Sequence, residues 1–159
     1  MAKRPPDHRF VLGSRLMSNK DLKRADFAWF LTMPTRWIDN DKYGHMNNAY
    51  YYSVFENAVM TWLEVVNEFN VYDGSVRCFT VENGCQYHDA VRYPDELECA
   101  VRISKIGNSS VRYELGIFNK QSETVAATGF IVDVFVDAGT ERPVAIPDEF
   151  RQAMESLLK

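Results

Sequence analysis

The sequence predicts an α+β fold in which one long helix packs against an antiparallel sheet of about five strands. Three observations predict it. Apolar residues repeat every three or four positions from Ala49 to about Asn70 and nowhere else over a comparable length. After Gly74 the pattern changes to strand-like runs separated by turn residues. Aromatic residues make up 13% of the 159 positions, which favours strands and a core of large side chains.

Taken in order, residues 1–20 carry Pro5, Pro6 and scattered basic side chains, and read as a loosely docked arm ahead of a single domain over 21–159. Asp21 to Ala28 has the makings of a short helix. Phe30 to Asp39 reads as a strand, with Pro34 marking an edge position or an interruption. The helix follows, its inward face being Tyr51, Phe55, Ala58, Val59, Trp62, Leu63, Val66 and Phe69. Asn47 or Asn48 is its natural N-cap, since a side-chain oxygen there can accept a first-turn N–H.

Cys78 to Arg92 is the next strand. Glu96 to Ile106 alternates Leu97, Cys99, Val101 and Ile103 against Glu96, Glu98, Arg102 and Ser104. Gly107-Asn108 is a two-residue hairpin turn, and Val111 to Phe118 alternates again. Val125 to Val136 is apolar on both faces, as a central strand is. Pro147 opens a short helix with Phe150, Met154 and Leu157 on one side. One helix cannot cover both faces of such a sheet, so the arms or a second subunit must cover the rest, which points to an oligomer.

Bulk composition narrows the function. A net charge of −4 excludes the broad basic surface that nucleic acid or an anionic membrane requires. Cys78, Cys85 and Cys99 are odd in number and form no CxxC pair, which argues against a disulfide framework or a zinc site. Free thiols, no signal-peptide apolar core between Met1 and Asp21, and no apolar run of membrane length together lead us to expect a cytoplasmic protein.

The run Arg36-Trp37-Ile38-Asp39-Asn40-Asp41-Lys42-Tyr43-Gly44-His45-Met46-Asn47-Asn48 concentrates the chemistry. It sets carboxylates, an imidazole and carboxamides around one glycine where a helix begins. A strand continuing through Asp39 and Asp41 would point both to one face, about 7 Å apart. Helix-start N–H groups can stabilise an oxyanion, so the run has what acyl transfer or hydrolysis needs. Asp-x-Asp with Gly and Asn is equally ordinary turn chemistry. A calcium loop would place further acids where Tyr43, His45 and Asn47 stand, so no metal is expected.

The run, with Tyr51, Glu56 and Ala58, resembles the signature of hotdog-fold acyl-CoA thioesterases of the 4-hydroxybenzoyl-CoA thioesterase group. That signature reads Arg-aromatic-x-Asp-x-Asp-x-x-Gly-His-(Val/Met)-Asn-Asn-x-x-Tyr, then Glu-x-Ala. Weaker similarity runs through Val81–Cys85, Tyr93–Leu97 and Gly107–Val111. The resemblance implies a long helix wrapped by an antiparallel sheet. It also implies a homodimer or homotetramer with active sites at the subunit interface, and hydrolysis of an acyl-CoA to acid and free CoA.

Carried onto this chain, it makes Asp41 the nucleophile or general base and the Asn48 amide the oxyanion donor, with His45 and Asn47 orienting water or substrate. Glu82 and Glu56 are reserve acids, because other branches carry the acid on a strand or the helix. Arg102, Lys105, Ser109, Ser110 and Arg112 would meet the CoA end. No separate cofactor is implied, since coenzyme A belongs to the substrate. The alternatives are a hotdog module that binds acyl-CoA or a small ligand without turnover, an acyl-ACP thioesterase, and a dehydratase, whose His and Asp arrangement is not found here.

Overall fold

The computed structural model describes residues 19–66, 68–70 and 74–159. Most of the expected N-terminal arm lies outside the described residues. Five strands form one antiparallel sheet: β1 (Trp29–Pro34), β2 (Val76–Tyr87), β3 (Glu96–Ile106), β4 (Ser110–Asn119) and β5 (Val125–Asp137). Their spatial order is β1-β3-β4-β5-β2, so β1 and β2 are the edges. Helix α1 (Asn48–Met60) lies on one face, and α2 (Asp148–Glu155) closes the chain.

Strand β1 is shorter than the expected Phe30–Asp39. It stops at Pro34, which brings no N–H to the ladder, and a 3-10 turn follows at Trp37–Asp39. Asp39 and Asp41 therefore do not share a strand face. Likewise β2 ends at Tyr87 instead of Arg92. Between β3 and β4, the Gly107 N–H donates to Ser110 O at 2.7 Å, so the tight connection is Asn108-Ser109, one residue later than expected. The segment expected to be a helix at 21–28 holds two short 3-10 turns, Asn19–Asp21 and Arg24–Asp26.

Asn47 is the N-cap of α1: its Oδ1 accepts the Ala49 N–H at 3.0 Å. The helix was expected to reach Asn70. It is α-helical only to Met60 and passes into a π-helical turn over Thr61–Val66. Glu68 then turns left-handed at φ 55°, and the Phe69 N–H bonds back to Leu63 O at 3.0 Å. Phe69 leaves the helix line to pack between Phe150 and Phe135, with ring centroids 4.1 and 6.1 Å away.

The main core lies between α1 and the inner sheet face. Phe55 is fully buried there with Leu97, Tyr113, Leu115 and Ile117, each such apolar side chain contributing about 2 kcal/mol of transfer free energy. The outer face carries a second cluster of Phe27, Ala100, Phe118 and Val125, with Leu22 and Phe30 against it. The segment ahead of β1 thus covers part of the face that α1 cannot reach. Arg24 and Arg102 fasten it: Arg24 pairs with Glu98 and donates to Asn119 O and Ser122 O, while Arg102 donates to Asp26 O.

Candidate active site

The polar run folds back on itself before α1. Asp41 N donates to His45 O at 2.8 Å, Gly44 N to Asp41 O at 3.0 Å, and Asn47 N to Asp39 O at 2.8 Å. Gly44 sits at φ +78°, a backbone region that side-chain-bearing residues populate poorly. Nothing lies within 4 Å of a Cβ built there, so the glycine is required by conformation and not by space. The Met46 N–H donates to Val91 O at 2.7 Å and ties this small loop to the segment after β2.

The two aspartates of the run have separate fates. Asp39 is buried, and its carboxylate accepts the Arg36 backbone N–H at 2.8 Å and the guanidinium at 2.7 and 3.0 Å. Burial pushes its pKa up, but the hydrogen bonds from Arg36 outweigh burial and hold the carboxyl below its ordinary value. Asp41 faces a cleft. Its Oδ1 accepts the Tyr43 N–H at 2.7 Å, and no hydrogen bond among the described residues takes Oδ2.

That cleft, of about 590 Å³, is lined by Asp41, His45, Asn48 and Tyr51 on one side and by Tyr87, His88, Asp89 and Ala90 on the other. The Asn48 N–H belongs to the first helical turn, where N–H groups have no intrahelical acceptor. Tyr51 and Tyr87 meet edge to face with centroids 4.9 Å apart, and the Tyr87 hydroxyl donates to Asn48 O at 3.4 Å. Burial and the neighbouring Cys85 thiol raise the Tyr87 pKa to about 12, which keeps it a donor. His88 Nε2 lies 2.8 Å from Thr128 Oγ1, and burial followed by the charge of Lys20 lowers its pKa.

The other expected site residues fall elsewhere. The Asn47 side-chain oxygen is spent on the helix cap. Glu56 lines a separate recess of about 350 Å³ with Tyr52 and Asn83, where burial and then the charge of Asp133 raise its pKa. Glu82 pairs with Val132, one position from the inward-facing Asn83–Ile131 pair, which puts it on the outer sheet face. The Gly107–Ser110 hairpin is at the far end of the sheet. Ser110 pairs with Val134 while Tyr87 pairs with Ala127, seven residues away along β5 or about 23 Å. Ser109 O accepts the Phe135 N–H, and Arg102 is engaged by Glu114 at 2.5 and 3.0 Å. One protomer therefore does not bring Arg102, Lys105, Ser109, Ser110 and Arg112 to its own cleft.

Sequence reasoning missed the far wall, Tyr87 to Ala90. The available signal was a polar His-Asp pair inside an otherwise strand-like run, with His88 one of only three histidines in the chain.

With this geometry in place, comparison with known proteins assigns the family. Residues 34–154 match the thioesterase-like superfamily, and the chain belongs to it. Its fold is the hotdog fold of that superfamily. The structure of the PA5185 protein from Pseudomonas aeruginosa PAO1 is 39% identical and superposes with a TM-score of 0.83, covering 86% of this chain and 96% of that one. Slr0204 from Synechocystis, a 1,4-dihydroxy-2-naphthoyl-CoA thioesterase, shares the fold at a TM-score of 0.74 with 13% identity, over 80% of this chain and 96% of that one. The YsmA protein of Bacillus subtilis strain 168 is 24% identical over 131 residues, 82% of this chain and 88% of its own. No helix among the described residues is long and apolar enough to cross a membrane.

Proposed function

We propose that the protein hydrolyses an acyl-CoA thioester to the free acid and CoA, with Asp41 as nucleophile or general base. The observation that carries this reading is the pairing of Asp41 and the Asn48 N–H on one cleft. One carboxylate oxygen is held by the loop, the other is open, and an unpaired helix-start amide borders the same space. The superfamily membership supports thioester chemistry.

In this reading the thioester carbonyl oxygen lies against the Asn48 N–H, which stabilises the charge of the tetrahedral intermediate. Asp41 Oδ2 either attacks the carbonyl carbon itself or takes a proton from the water that attacks. The C–S bond breaks and the thiolate leaves to be protonated. If Asp41 has attacked, water then cleaves the acyl-aspartyl anhydride and returns the carboxylate. His45, on the same wall, orients the water. The reaction needs no cofactor beyond the CoA of the substrate.

Self-association belongs to the proposal. β2 offers a 12-residue edge with Phe79 and Val81 exposed, 40% and 62%, and an uncovered edge of that length favours pairing with a second copy. The domain spans residues 21–159 in this reading.

Free-thiol release from a panel of acyl-CoA esters tests the assignment. Wild type should turn over at least one ester, and Asp41→Asn should lose about 100-fold or more in kcat while keeping its melting temperature. Full activity in a folded Asp41→Asn variant would remove Asp41. Tight binding across the panel without turnover by wild type would favour a non-catalytic acyl-CoA-binding module.

A further inference from the structure

We propose that a cavity between α1 and the β1 edge is the pocket for the acyl group, that it selects short acyl chains or a single ring, and that Met46 is the movable wall through which they enter. This rests on the hydrolase reading and names the substrate class of that reaction. The cavity measures about 150 Å³. Met33 of β1, Leu97 of β3, Val54 of α1 and Met46 form its buried and half-buried inner part, and the exposed Arg36 stands at its rim.

Of the residues around this cavity and the catalytic cleft, Met46 alone lines both. One side chain therefore stands between the two spaces. Met46 lies two residues before Asn48, so an acyl group whose carbonyl rests on the Asn48 N–H starts out beside it. The Met46 backbone is held by its N–H bond to Val91 O at 2.7 Å and by a bridge to Asn40. Its side chain is buried, at 5% exposure, but it is unbranched and adapts readily to a changed neighbour. The wall can yield while the backbone that carries the Asn48 amide stays in place.

The polar groups of the cavity wall are already paired among themselves or with the fold. Arg36 meets the Asp39 carboxylate at 2.7 and 3.0 Å, the Thr35 hydroxyl donates to Asp95 O at 2.7 Å, and the Asn57 side-chain amide donates to Ser53 O at 2.8 Å. Groups with partners gain little from a new hydrogen bond, so the favourable occupant is apolar surface leaving water. The volume then sets the length. An apolar cavity of this size takes one benzene ring, so about six non-hydrogen atoms fill it and a long fatty chain does not fit.

Each methylene that enters the cavity should raise kcat/KM about fourfold until the space is full. Beyond that length the remainder of the chain stays in the open cleft, and the gain ends. An acyl group lying wholly in the cleft would show no such limit. It would also be indifferent to Val54, which lines the cavity and not the cleft.

Hydrolysis of a series from acetyl-CoA to palmitoyl-CoA by the full chain tests this. In wild type kcat/KM should climb to an optimum near hexanoyl-CoA. Val54→Phe fills the cavity from α1 and should lower the hexanoyl-to-acetyl ratio of kcat/KM by about tenfold or more. Met46→Ile keeps the volume but stiffens the side chain at its branch, and should lower the same ratio. A binding measurement needs no turnover. With methyl-¹³C methionine in the protein, S-hexyl-CoA, a thioether that cannot be hydrolysed, should shift the Met33 and Met46 methyl resonances and leave Met154 of α2 in place. CoA alone should leave Met33 unmoved. A palmitoyl-CoA optimum, an unchanged ratio in folded Val54→Phe, or a Met33 resonance that S-hexyl-CoA does not move would overturn the proposal and leave the hydrolase reading standing. A Met33 shift that Val54→Phe abolishes, with no ester hydrolysed by wild type, would sink the hydrolase reading and leave the pocket standing.

Discussion

Asp39 accepts two guanidinium N–H bonds and the backbone N–H of Arg36, three residues earlier, and thereby closes the 3-10 turn that delivers the chain to the cleft. Its carboxylate is wholly committed to local structure. Asp39→Ala should cost about 2 kcal/mol, because it strips a buried acceptor from the Arg36 N–H. Urea titration checks this, with the midpoint shifting at constant slope. The pH dependence follows from the lowered pKa. The stabilisation is present above the unfolded value of about 3.9 and is lost as pH falls through the folded pKa. Asp39→Asn should lack this acid-side loss.

Asp41, two residues on, should carry the oxygen that distinguishes the two hydrolytic routes. In a single turnover in ¹⁸O-labelled water, a nucleophilic Asp41 whose anhydride is opened by water at the aspartyl carbonyl takes the label into its own carboxylate, and the product acid takes oxygen from the protein. A general-base Asp41 sends the label directly into the product. Label found by mass spectrometry in the peptide containing Asp41 establishes the nucleophilic route with water opening the anhydride at the aspartyl carbonyl; label in the product alone rules that route out.

Gly44→Ala should lower stability by about 1 kcal/mol through its positive φ, with no steric clash to relieve. Gly44→Asn should lose less, because asparagine tolerates this region better. If the loop shape aims Asp41, kcat should follow the same order as stability, Gly then Asn then Ala.

Asp133 is buried on β5, where its Oδ1 accepts the Thr80 hydroxyl at 2.7 Å. Burial raises its pKa more than the bonds from Thr80 and Cys78 lower it. An acid with a raised folded pKa contributes stability below the unfolded value of about 3.9 and loses it as pH rises through the folded pKa. Asp133→Asn, which stays neutral and can still accept from Thr80, should therefore melt about 3 °C higher than wild type at pH 8, with a smaller gain once the pH is below the unfolded value of about 3.9. Equal gains at both pH values would contradict the assignment.

Much of the site was legible because its determinants are local. The Asn47 cap, the Gly44 turn and the placing of Asp41 beside a helix start all depend on residues within about one turn of each other. The split between Asp39 and Asp41 was less visible. Both read as turn acids, and only the end of β1 at Pro34 puts one under Arg36 and the other on the cleft. The early end of α1 carries no glycine or proline signal. It follows from Phe69 packing against Phe150 and Phe135, which come from segments far along the chain.

The sequence by itself determined the main helix and the five strands as types, the Glu96–Ile106 strand to the residue, the α+β class and the polar run that marks the site. Each is set by short-range periodicity, capping or turn chemistry. Tertiary structure alone decided that β2 pairs with β5 at the sheet edge, which carries Tyr87, His88 and Asp89 to the wall facing Asp41. It also decided that Arg102 is consumed by Glu114, while no hydrogen bond among the described residues takes the donors of Arg112. Such outcomes depend on which distant strand supplies the neighbouring side chain, and neither periodicity nor spacing along the chain encodes that.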